Sequence, residues 1–165
     1  MFELKRISVE AIPRALEKAE RYRLLGEPSA AESICLDILQ ADADNQPALI
    51  ALLLALTDRF GRGYAVSETQ IHDVLARITD DYKRAYYSGI VLERRAKAQL
   101  KKGVPGGGFD AYEWLCEAMD WYEKAEALRP AGNDDAILRW NTCARVIMRN
   151  NLVARPVDVS EHFLE

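Results

Sequence analysis

Glu117-Ala118-Met119-Asp120-Trp121-Tyr122-Glu123-Lys124-Ala125-Glu126-Ala127-Leu128-Arg129-Pro130 reads as the later part of an amphipathic helix with its stop attached. Leu115, Ala118, Tyr122 and Ala125 recur at helical spacing and make one apolar face, with Trp114 and Trp121, seven residues apart, beside it. Asp110 and Glu113 stand in the spacing of an N-terminal cap, so the helix is expected to open there and to run to about Leu128. Pro130 cannot continue it.

Working outward, a small residue, six others and a glycine close a helix at Ala19/Gly26 and again at Ala96/Gly103. An imperfect copy ends at Gly61, where Leu54 holds the register position and the small residue Ala55 follows it. A fourth carries Ala144 and, seven residues on, Asn151, the next-best residue for the left-handed backbone that ends a helix. The intervals Gly26 to Gly61 to Gly103 to Asn151 are 35, 42 and 48, the first of helix-turn-helix repeat length and the others requiring loop insertions.

The remaining helices follow from local chemistry. Helix one runs from Ser8 or Pro13 to Leu25, and helix two opens on Pro28 with Ala31, Ile34, Cys35, Ile38 and Leu39 as one broad stripe. Helix three, about Pro47 to Phe60, is apolar nearly all round and belongs at the centre. Helix four begins with the capping box Ser67 to Gln70; helix five spans about Tyr82 to Lys102; helix seven follows residues 133–135. The fold class is therefore all-α, an α-α superhelix of about seven helices in antiparallel pairs over residues 8–150, with a flexible C-terminal tail over 151–165.

This pattern resembles the tetratricopeptide repeat. Ala19, Tyr22, Gly26 and Ala31 match the family's small, aromatic, turn and small positions, and Ala118, Tyr122, Ala125 and Pro130 match its second helix and closing proline. Trp140 precedes Ala144 by four, as the family's opening aromatic does. Ala43 stands where proline is usual, Leu54 fills the small register of the second unit, and about ten extra residues separate Gly103 from Ala118. The resemblance implies a scaffold whose concave face, lined by the first helix of each unit, holds a peptide or partner helix. That face would carry Glu20, Arg23, Asp58, Arg59, Glu93, Lys97, Lys101, Asn141, Arg145 and Arg149, basic in its C-terminal half.

Composition sets the outer limits. Net charge is −4 and hydrophobic residues make up 49% of 165, an ordinary folded balance with no global case for nucleic acid. The start, Met-Phe-Glu-Leu-Lys-Arg-Ile, lacks the apolar run of a secretory signal, and Ala48 to Leu56 is far short of the ~20 residues of a membrane span. Cys35, Cys116 and Cys143 are scattered, which suits buried thiols in a reducing cytoplasm rather than disulfides or zinc.

Glu93-Arg94-Arg95-Ala96-Lys97 with Lys101-Lys102 is the one dense basic run, and a nucleic-acid footprint would need aromatic company beside it. Gly103-Val104-Pro105-Gly106-Gly107-Gly108 lacks the strand and Gly-Lys-Ser/Thr ending of a phosphate loop and is expected to be a flexible insertion. The three tryptophans, at helical spacing, are expected in the core between repeats. His72 with Glu68, and His162 with Asp158, have no further ligand nearby, so no metal, cofactor or acid-base site is expected, and no catalytic motif appears. The expected function is a cytoplasmic protein-interaction adaptor, not an enzyme. Its partner would be a protein or peptide of acidic character, with no membrane contact and nucleic acid disfavoured; binding of an anionic non-protein ligand such as RNA along the basic helices is the alternative.

Overall fold

The computed structural model describes residues 1–63 and 65–157. After a 3-10 turn at Val9–Ala11 come seven helices: α1 (Ile12–Leu24), α2 (Pro28–Ala41), α3 (Gln46–Asp58), α4 (Glu68–Arg77), α5 (Asp81–Lys102), α6 (Gly107–Leu128) and α7 (Asp135–Arg149). The described residues contain no strand, and no helix among them is long and apolar enough to cross a membrane. Successive helices pack on one another, α1 also meets α3, and α3 meets α5. The result is an α-α superhelix in which α1, α3 and α5 form an inner row.

Each boundary has a local cause. Gly26, Gly61 and Gly103 all take positive φ, 77°, 75° and 62°, and Asn151 follows suit at 49°. These are the four positions that the helix-ending register marked, and left-handed backbone there turns the chain without a Cβ clash in the three glycines. Asn45 caps α3 by accepting from the Ala48 amide at 3.0 Å, Ser67 caps α4 from Gln70 at 3.2 Å, and Asp80 caps α5 from Lys83 at 2.8 Å.

Two apolar clusters result. One joins α1 to α4 around Ile38, Leu49, Leu53, Ile71 and Ile78; the other joins α5 to α7 around Leu115, Ala118, Tyr122, Ala125 and Cys143. Helix α3, apolar on nearly every side, buries eight of its residues and lies at the middle of the stack. At the α5–α6 contact, Gly89 leaves the room that Tyr122 fills, since a Cβ there would stand 2.5 Å from the Tyr122 ring.

The glycine-rich stretch departs from the flexible insertion read in sequence. Gly107 and Gly108 belong to α6, which starts three residues before Asp110; Gly107 is buried, and a Cβ there would crowd Val104 and Gln99 at 3.2 and 3.4 Å. Only a tight turn separates α5 from α6. Beyond α7 the chain lies back along the start of α6: Leu152 reaches Gly108, and Arg155 bonds Asp110 at 2.5 Å while stacking on Phe109. His162 and Asp158 lie outside the described residues.

Candidate functional site

The charges expected along the inner row largely satisfy one another. Arg23 bonds Asp58 at 2.8 Å and Glu20 at 3.2 Å, and Asp58 also takes Arg94 at 2.6 Å, tying α1, α3 and α5 together. Arg59 turns away to Glu32 on α2 at 2.6 Å. Glu93 is buried, 1% exposed, and accepts from the Tyr122 hydroxyl at 2.6 Å, from Arg139 at 3.3 Å and from Lys97. Burial, with the Glu93 carboxylate beside it, holds the Tyr122 phenol well above its ordinary range. Lys101, Arg145 and Arg149 are exposed, and Asn141 is half-buried on α7. The structure thus brings Glu20, Arg23 and Asp58 together, and separately Glu93 and Lys97, as internal ion pairs of the stack.

A different constellation opens on the other side of α5. Helix α4 has 10 residues and spans roughly 15 Å, whereas α6 has 22 and spans roughly 33 Å. The short helix cannot cover the long one, and α4 packs chiefly on α3. What remains is a cleft of about 440 Å³ with α5 as its floor. Ile71, Leu75, Val91 and Leu92 give it an apolar base; Glu68, His72, Arg84, Arg95, Trp114, Glu117 and Trp121 give it walls.

Helical period explains the α6 wall. Trp114, Glu117 and Trp121 sit at i, i+3 and i+7, so an exposed carboxylate lies between two half-buried indoles, and Lys124 follows with its ammonium 4.2 Å from the Trp121 ring centre. Opposite them, Arg95 stands 5.7 Å from the ring centres of both Phe60 and Trp114, while its Nη2 donates to both Glu68 oxygens at 2.7 and 2.6 Å. The basic run therefore has the aromatic company whose absence in the sequence counted against a nucleic-acid role.

Chemically, the cleft offers flat π faces for stacking, a guanidinium and a carboxylate on the wall, and the Lys124 amine stands against Trp121 outside the lining itself. Trp114 and Trp121, expected in the core between repeats, do pack against the α5–α7 cluster, but from its edge: they are half-buried and line the opening as well. Their offset from the Leu115–Ala118–Tyr122–Ala125 face was the available signal. His72 and Glu68 do share this site, but Glu68 is engaged by Arg95. Among the described residues no group of three or more His, Cys, Asp or Glu is placed to hold a metal.

No protein-family model matches the chain, and no solved structure matches it significantly. Proteins of Thermotoga maritima, Thermotoga petrophila and Thermotoga neapolitana, each named 8-oxoguanine DNA glycosylase/AP lyase, are 24% identical to it over 159 residues, covering 92% of this chain and 74% of theirs. These relatives are named as enzymes of DNA. They overturn three expectations drawn from the sequence: that the function is a protein-interaction adaptor, that the chain is not an enzyme, and that a protein or peptide, rather than nucleic acid, is the partner. Those expectations rested on charge balance and repeat register, and neither reports on a cleft assembled from three helices.

Proposed function

We propose that the chain is a DNA-acting enzyme that seats one unstacked base in the cleft between α4 and α6. The observation that carries this is the pair of indoles, Trp114 and Trp121, bracketing Glu117 above an apolar floor. Stacking on an aromatic side chain contributes ~1–3 kcal/mol per base, and enzymes that work on a base take it out of the duplex to reach it. A space of about 440 Å³ is ample for one base and its sugar. The relatives' names supply the substrate class, an oxidised purine in DNA.

Within this reading the polar groups have separable work. Breaking a glycosidic bond sends its electron pair to the departing base, which takes up a proton, and leaves positive charge on the sugar. The Glu117 carboxylate stabilises that charge until water adds at C1′ to give the abasic sugar. An abasic sugar can open to an aldehyde; the Lys124 amine adds to it, water leaves, and an imine forms. Loss of the neighbouring C2′ proton then expels the 3′ phosphate. Glu117, the carboxylate that lines the cleft from α6, is the group we assign to accept that proton.

Anisotropy titration with a fluorescent single-stranded DNA tests the binding half. Trp121→Ala and Trp114→Ala should each weaken binding by roughly 5- to 100-fold, in line with the loss of one stacked base. Equal affinity in both variants would reject the cleft. Borohydride added with abasic DNA tests the amine: a covalent protein–DNA adduct should form with the native chain and be lost in Lys124→Ala.

A further inference from the structure

Beside the main cleft lies a smaller compartment of about 230 Å³, and the two share Glu68, Arg95 and Trp114 as a common wall. Its floor is made by small residues: Gly61 holds a φ of 75°, and a Cβ there would already touch Ala98 on α5 at 3.4 Å. The space exists because neither residue fills it. Lys102 and Arg95 supply its positive charge, against the single carboxylate of Glu68. They are seven residues apart on α5, two turns and ~10 Å along the axis, so both project to one face and their long side chains can converge on one group.

We infer that this compartment receives the phosphate attached to the nucleotide whose base occupies the main cleft, an inference that rests on the proposed function. Arg95 is the hinge between the two spaces. Phe60 and Trp114 hold its guanidinium by the faces, and among the described residues only Nη2 is committed, to Glu68, leaving Nε and Nη1 with donors to offer. Guanidinium and ammonium together favour phosphate over an uncharged ligand, because charge-assisted hydrogen bonds to phosphate oxygens are the stronger kind. Glu68, 58% exposed at its side chain, is free to swing into water as the anion arrives.

The probes are 2′-deoxyguanosine and its 5′- and 3′-monophosphates, titrated against the tryptophan fluorescence of the full chain. At least one monophosphate should bind ten or more times tighter than the nucleoside, and added salt should erode that advantage alone. Lys102→Ala should remove most of the advantage while leaving nucleoside affinity unchanged, and Lys102→Arg should restore it. Nucleoside binding with no gain from phosphate, or a gain that survives Lys102→Ala, overturns the inference and leaves the base cleft standing. If nucleoside and nucleotides both fail to bind, or bind unchanged when Trp121 is replaced by Ala, the base cleft itself falls and takes this compartment with it.

Discussion

Gly89 and Tyr122 show how much one atom decides at the residue scale. The ring of Tyr122 occupies the place a Cβ at position 89 would need, and it is fully buried, so it has little room to yield. Gly89→Ala should therefore cost about 1–3 kcal/mol in urea unfolding despite the better helix propensity of alanine. Tyr122→Phe should cost a similar ~1–3 kcal/mol, because it leaves the buried Glu93 oxygen short of a donor. Burial pushes the Cys35 and Cys143 thiols up to about 12, with charges such as Glu20 and Glu93 adding to it. In the unfolded chain both would ionise at their ordinary value near ~8.5. Their contribution is whole below that value and declines as pH rises toward 12, so unfolding free energy should fall above about pH 9. Iodoacetamide on the native protein should label Cys116, which is half-exposed, well before the other two. The sequence marked Tyr122 for the apolar face and the thiols for burial, but not Glu93: it sits in a run of charges that reads as solvated, and only the arrival of α6 and α7 turns it into a buried acceptor.

Helix length is the property that matters among the elements. Helix α4 stops at Arg77 because Ile78 is extended at ψ 116° and Asp80 at once caps α5. With 10 residues it leans on its caps more than its longer neighbours do, so Ser67→Ala should cost about 1 kcal/mol and loosen the cleft wall that carries Glu68 and His72. Thermal melts would give the first effect, and weaker DNA binding at temperatures below the melt the second. At this scale the sequence was most readable. The helix-ending glycines, the apolar stripes and the all-round apolar α3 each follow from local spacing, and each is where the pattern put it. The start of α6 was missed because glycine propensity argued for a loop, whereas close packing on α5 favours glycine inside the helix.

For the whole molecule, the inner row and the outer cleft divide the work. Charges on the inner row tie neighbouring helices to one another, and the two-sided α5 carries Glu93 on that side and Arg95 on the other. The tryptophan stripe could be read from the i, i+3, i+7 spacing alone, but its exposure could not, since that depends on the length mismatch between α4 and α6. A DNA substrate is a whole-molecule claim, resting on both the cleft and the named relatives. Incision of a duplex oligonucleotide carrying a single 8-oxoguanine tests it most directly. The native chain should nick the strand at that base and spare the undamaged duplex, with Glu117→Gln slower by ~100-fold or more while still binding. An intact damaged strand under conditions where the native chain is folded would contradict the account.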